Sequence, residues 1–375
     1  MRRSWRPGPS TRKTTSRVRW TRREFAAGLA SIAAGELLFS QRSAAQPATP
    51  RGIDFHCHSV PPAWLAFLKA TRSELPTNNP WTLSKHLEDM DRGGVRTSLL
   101  SVVSPGVWHG RDLQAIRTVT RQINEFNARL GVDYPGRFGS FATLPLLDID
   151  GSLREVAYAM DVLKADGVCM RTPYGTTWHG DPIFAPLYEE LNRRRAVVFT
   201  HPQNAQWSEN LVPGIESEAT IEYGTHTTRT IVSLLESGAA ARYPDIRWVF
   251  AHAGGTMPFL LPRIVGRKMS VGADGTVTLD PTDRARNDGA ARLAQLRRFF
   301  YDTAQQTNPV ALPALRKVVP ISQIVFGTDY PESNSGGRAE PIFDHSAGLA
   351  GVFSGDDLRA IQYENALRLF PKYRT

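Results

Sequence analysis

Hydrophobic residues along positions 51–375 fall into two alternating patterns. Short apolar runs, clearest in Val197-Val198-Phe199 and Trp248-Val249-Phe250, are followed by longer stretches with apolar residues at helical spacing. The runs lack the polar alternation of a half-exposed strand, as expected for parallel strands covered on both faces by helices. Eight strands are predicted: Gly52–His56, Val95–Val103, Arg137–Thr143, Gly167–Arg171, Ala196–Thr200, Ile246–Ala251, Phe299–Thr303 and Gln323–Gly327. Helices are predicted over Trp81–Arg92, Asp112–Asp133, Gly151–Ala165, Pro182–Arg194, Glu218–Ser237, Met257–Lys268, Pro309–Val318 and Asp356–Phe370. Repeated β-then-α units of this kind predict an α/β fold of the (β/α)8 TIM-barrel type with modest insertions. A doubly wound nucleotide-binding sheet is disfavoured, because no G-x-G-x-x-G follows the first strand and no G-x-x-x-x-G-K-[ST] occurs. Two loops stand out. Thr71–Pro80 follows the first strand, on the side where barrel active sites are built, and is placed to shape substrate access; the polar segment Ser270–Gly289 reads as a surface excursion.

Composition sharpens this picture in one place. At 41% hydrophobic and 22% charged residues the chain is neither disordered, collagen-like nor a multi-pass membrane protein. The net charge of +9 suggests nucleic-acid binding until it is divided along the chain. Residues 1–45 hold ten Lys/Arg against Glu24 and Glu36, which leaves 35 Lys/Arg against 34 Asp/Glu in the remainder. A nearly neutral body has no general attraction to phosphate backbones, so nucleic acid is not an expected partner. The basic head has its own pattern. Thr21-Arg22-Arg23-Glu24-Phe25 opens an apolar stretch to Phe39 that is too short to span a bilayer, and Ser43-Ala44-Ala45 follows. It resembles a twin-arginine signal peptide, with Glu36 as a departure. The expected organisation is an export leader over 1–45, a linker over 46–50 and one catalytic domain over 51–375, periplasmic or extracellular and without a stable membrane anchor. Cys57 and Cys169 are too few for a disulfide framework and read as buried thiols within strands.

The chemistry-bearing residues gather at strand ends. His56 and His58 stand at i and i+2 at the end of the first strand, where side chains share a face. Thr200-His201-Pro202 ends the fifth, Ala251-His252-Ala253-Gly254-Gly255 the sixth and Gly327-Thr328-Asp329-Tyr330-Pro331 the eighth. These C-terminal ends form the face on which barrel enzymes place catalysis. Three neutral nitrogens with a carboxylate suit zinc, with water completing the shell; manganese is the alternative.

These motifs, with Trp81 to Gly94, Phe141-Ala142-Thr143-Leu144-Pro145, Pro258 and Arg263, make the chain resemble the amidohydrolase superfamily in its amidohydrolase-related branch. That branch contains aminocarboxymuconate semialdehyde decarboxylase and aromatic acid decarboxylases such as 6-methylsalicylate decarboxylase. The resemblance implies His56, His58, His201 and Asp329 as metal ligands, His252 as acid/base alongside Asp329, and Arg263 in a site that involves a neighbouring subunit, hence a homodimer. The fourth strand lacks the lysine that bridges two metals in binuclear members, so one divalent metal is expected. The implied activity is decarboxylation of a small aromatic or dienoic carboxylic acid, which would be the partner molecule; metal-dependent hydrolysis of a lactone, ester or amide is the alternative, since it uses the same parts.

Further candidates come from position alone. Arg171 closes the fourth strand and suits bidentate pairing with a substrate carboxylate. Trp108, His109, Trp178, His179, Trp207 and Tyr223 follow strands two, four and five and suggest an aromatic wall, with Trp207 the substrate contact. Asp302 ends the seventh strand, placed to hydrogen-bond a ligand histidine. His226 reads as a helix-face residue, and His86 and His345 as peripheral.

Intact-mass measurement on native mature protein should show the chain beginning near residue 46, and changing Arg22 and Arg23 to Lys should retain it in the cytoplasm. A mature chain that still begins at Met1 would remove the reading.

Overall fold

The computed structural model describes residues 52–374 apart from 72–80, 108–111, 206, 209–210, 216, 267, 284–287 and 332–341. The expected leader and linker, most of the loop after the first strand, and the Trp108-His109 pair lie outside the described residues.

Eight parallel strands form the barrel: β1 (Gly52–Ser59), β2 (Val95–Val102), β3 (Phe138–Thr143), β4 (Gly167–Thr172), β5 (Val197–Pro202), β6 (Arg247–Phe250), β9 (Phe300–Asp302) and β10 (Ile324–Val325). They neighbour one another in chain order, and β1 returns to β10 through Phe55 N–H to Phe326 O at 2.9 Å and His58 N–H to Tyr330 O at 2.7 Å. This is a (β/α)8 barrel, as the sequence predicts. The interior is filled by Ile53, Phe55, Leu99, Phe141, Phe199, Val249 and Val325, and Leu369 and Phe370 of the C-terminal segment pack against them. A second apolar layer, including Trp248, Phe250, Tyr188 and Leu191, lies between strands and helices. Covering both faces explains the continuous apolar runs.

Helix ends follow local chemistry. The Asp112 carboxylate accepts from Gln114 N–H at 2.8 Å at the start of helix Leu113–Asp133, and Asp148 accepts from Gly151 N–H at 3.0 Å. Gly94, at φ 70°, ends helix Leu83–Gly93 in the left-handed conformation that favours glycine. Among the described residues, no helix is long and apolar enough to cross a membrane.

Two differences from the sequence reading stand out. Helix Pro62–Thr71 follows β1 and buries Trp64, Phe67 and Leu68; its apolar positions are too dense to show a clean amphipathic stripe. The polar segment read as a surface excursion contributes the antiparallel pair β7 (Met269–Val271) and β8 (Val277–Leu279), and helix Gly289–Leu296 begins at its end.

Candidate metal centre

The site begins with an irregularity in β1. Strict alternation would put Phe55 and His56 on opposite faces, but the β1–β2 register shifts between Asp54 and Cys57. Such a shift re-aims side chains. Phe55 packs on Phe141 and Phe370 inside the barrel, while His56 also turns inward against Phe199, with ring centroids 4.9 Å apart. Cys57 goes to the outer apolar layer. Asp54 pins this irregular segment: its carboxylate accepts from His56 N–H at 3.0 Å, Thr328 N–H at 3.2 Å and the Thr328 hydroxyl at 2.7 Å. Burial pushes the Asp54 carboxyl up to about 7 despite these bonds.

The other groups arrive from β5 and from the turns after β6 and β10. His252 and Asp329 have φ of 54° and 68°, a left-handed backbone that non-glycine residues adopt only where surrounding structure holds it. Asp329 Oδ1 lies 2.8 Å from His56 Nε2, 2.9 Å from His58 Nε2 and 3.6 Å from His201 Nε2. Its other oxygen, Oδ2, lies 3.2 Å from His252 Nε2. One carboxylate therefore sorts four imidazoles into three on one oxygen and one on the other. Donor atoms of His56, His201, His252 and Asp329 all lie within 4.8 Å of one another, a spacing able to hold a metal ion. His201 Nε2 is buried without a hydrogen-bond partner and His56 Nε2 faces the Asp329 carboxylate alone, so the donor set fits a cation.

The remaining ring nitrogens are occupied. His56 Nδ1 lies 2.7 Å from Asp302 Oδ2, and Asp302 Oδ1 accepts from His252 N–H at 2.9 Å and Ala304 N–H at 3.0 Å. His58 Nδ1 lies 2.9 Å from Ser101 Oγ, whose hydroxyl donates to Cys57 O at 3.4 Å. His201 Nδ1 faces Pro202 O at 2.5 Å, with Arg171 Nη1 also 2.5 Å away. Asp302 and Ser101 accept the Nδ1 protons of His56 and His58 and aim their Nε2 atoms at the centre, whereas at His201 Nδ1 the Pro202 carbonyl and the Arg171 donor compete.

Electrostatics divide the set. Burial lowers His58 to about 4 and, with Arg171 nearby, holds His201 well below the usual histidine range, so both are neutral. Burial also opposes a proton on His56, but the Asp329 and Asp302 carboxylates overcome it and raise His56 to about 10. Burial likewise opposes charge on Asp329, and the surrounding imidazoles outweigh it and keep the carboxylate ionised. A cation entering here displaces the His56 proton.

The structure brings Arg171 to the cluster and leaves Trp207 and Arg263 outside it. Arg171 is buried, its backbone carbonyl accepts from His179 Nε2, and its Nη2 donates to Val102 O. Trp207 packs with Trp178 and His226 at centroid separations of 6.2 and 5.4 Å, and donates to Gly175 O. Arg263 is exposed on helix Met257–Val265. Tyr223 does face the cluster, 6.3 Å from His201 and 6.5 Å from His252.

Two histidines read as peripheral are instead buried: His86 lies against Tyr330 and receives Trp81 Nε1–H at 3.0 Å, and His345 is buried too. His226 lies on helix Glu222–Glu236, as expected, with its buried face between Trp178 and Trp207. The sequence could not show which helix faces the barrel covers. It also gave Ser101 and Asp54 no role; a small polar residue within an apolar strand was the available signal.

The profile of the family described as Amidohydrolase matches residues 53–372. A decarboxylase of Aspergillus niger is 33% identical over 344 residues, covering 86% of this chain and 88% of that protein. A 6-methylsalicylic acid decarboxylase of Aspergillus aculeatus is 34% identical, covering 86% and 96%. Among solved structures, a dihydroxybenzoic acid decarboxylase of Polaromonas sp., with bound manganese and 2-nitroresorcinol, superposes with a TM-score of 0.66 at 20% identity, covering 87% of this chain and 98% of that one.

Proposed function

We propose, since the chain belongs to the amidohydrolase family, that the barrel mouth holds one divalent metal and removes the carboxyl group of a small aromatic carboxylic acid. The enzyme is a metal-dependent carboxy-lyase, in keeping with decarboxylases at 33 and 34% identity across 86% of the chain. The observation that carries the ligand assignment is the sorting by Asp329. His56, His58 and His201 share its Oδ1, and His252 alone faces Oδ2. On that sorting His56, His58, His201 and Asp329 are assigned as the ligands, and His252, although it lies within 4.8 Å of the His56, His201 and Asp329 donors, stands beside them. Nitrogen and carboxylate donors suit zinc; the manganese bound by the Polaromonas enzyme makes manganese the alternative.

When bound, the cation supplies Lewis acidity to a substrate oxygen. The protein's own groups do the rest. Arg171 is a buried guanidinium which, among the described residues, has no carboxylate within ion-pair distance, and it receives the substrate carboxylate. Tyr223 flanks the ring. As the bond from ring carbon to carboxyl breaks and carbon dioxide leaves, the ring carbon takes a proton delivered from His252 Nε2, with Asp329 Oδ2 within reach to exchange it. Arg263 and the exposed Phe259 and Leu260 share one helix, the surface for the second subunit of a homodimer. Residues 1–45 direct export.

Carbon dioxide release from hydroxybenzoates, including 6-methylsalicylate, is expected from metal-loaded protein, with no turnover of ester or lactone panels. Turnover confined to esters or lactones would overturn the reading. Light scattering on the same sample should give a dimer mass, and monomer alone would remove the homodimer. His201→Ala should lose metal and activity together. His252→Ala should keep its metal while turnover falls about 10²–10⁴-fold. Equal metal loss in both variants would make His252 a ligand and end its role as proton carrier.

A further inference from the structure

Beside β5, which carries His201, the ends of β2, β3 and β4 line a cavity with room for one small group. Val102, Val107 and Leu144 give it apolar walls, and Arg171 and Thr143 also line it. These two residues are 5% and 6% exposed, and both Arg171 Nε and Thr143 Oγ1 are buried without a hydrogen-bond partner.

Idle polar atoms in such a place are costly, and two around one small cavity define what would satisfy them. Guanidinium nitrogen only donates, and a threonine hydroxyl rotates to donate. Cys169 and Tyr174 also line the cavity, the Tyr174 hydroxyl being taken by the Arg171 backbone N–H, so two idle donors, one cationic, complement a single anionic oxygen better than water or a methyl group. Thr143 is also held rigidly: Asn124 receives its N–H at 2.8 Å and donates to its carbonyl at 3.0 Å. Arg171 is paired in register with His201 across β4 and β5, so the strand that carries this guanidinium neighbours the one that carries a ligand histidine.

We propose that this cavity is the subsite for one carboxylate oxygen of the substrate, bound by Arg171 Nε and the Thr143 hydroxyl. Val102, Val107 and Leu144 keep water from that oxygen and leave no room for a larger group. The inference rests on the aromatic carboxylic acid reading above and adds Thr143 as a substrate-binding residue for it.

Calorimetric titration of metal-loaded protein with salicylate, phenol and bicarbonate tests it. Wild type should bind salicylate more tightly than either of the others. Thr143→Val should weaken salicylate about tenfold or more, the loss expected for a hydrogen bond to a charged group, with phenol binding and metal content unchanged. Thr143→Ser should restore salicylate binding, and Thr143→Ala offers a second route to the loss should valine not be tolerated. Equal effects of Thr143→Val on salicylate and phenol, or no effect on salicylate, would overturn the proposal. So would bicarbonate binding as tightly as salicylate, which would assign the cavity to a small inorganic anion. Binding needs no turnover, so the two readings fail separately: carbon dioxide release with Thr143-independent binding sinks only this inference, and Thr143-dependent binding without carbon dioxide release sinks only the decarboxylase.

Discussion

An imidazole gives its lone pair to a cation only through a nitrogen that carries no proton, and the mouth of this barrel is organised around that requirement. Each of three inward-facing rings has an acceptor placed at Nδ1: Asp302 from β9 for His56, Ser101 from β2 for His58, and the Pro202 carbonyl of β5 for His201. For His56 and His58 the acceptor stands on another strand, so the barrel has to form before those two ring orientations are fixed, whereas His201 meets the carbonyl of the next residue on its own strand. Asp302 does most, since the same carboxylate also holds the backbone of His252 and Ala304.

That arrangement costs conformational freedom. His252, Ala253 and Asp329 all have left-handed backbone, and the turn after His252 runs through Gly255, where a Cβ would meet Gly224 O at 2.0 Å. Burying four imidazoles and several carboxylates removes them from water, which is tolerable only because nearly every polar atom has a partner. Among the buried polar atoms that do lack a partner, His201 Nε2 at the centre and Arg171 Nε with Thr143 Oγ1 beside it lie where ligands are proposed to bind.

Much of this was legible in the sequence because parallel strands buried on both faces leave uninterrupted apolar runs, and the end of such a run marks the catalytic face of a barrel. His56, His58, His201, His252 and Asp329 could be collected on that rule. Arg171 was legible for the same reason, at the end of β4. What could not be read depends on partners distant in the chain. The shift in β1 that turns both Phe55 and His56 inward arises from pairing with β2, and Ser101 acquires a role only when His58 lies across from it. Trp207 looked like a substrate contact because it follows β5, but its ring packs with Trp178 and His226. His86 sits on a helix that looks amphipathic and charged, and only the fold reveals that its buried face rests on Tyr330.

Three imidazole Nε2 atoms and one oxygen of Asp329 are proposed to form the metal's protein shell, with His252 outside it. X-ray absorption at the metal edge of the loaded, substrate-free protein measures that shell directly. Three imidazole nitrogens are expected, with oxygen donors from Asp329 and water completing the shell, and a spectrum that His252→Gln leaves unchanged. A fourth imidazole that disappears in His252→Gln, or a sulfur donor at any position, would contradict it.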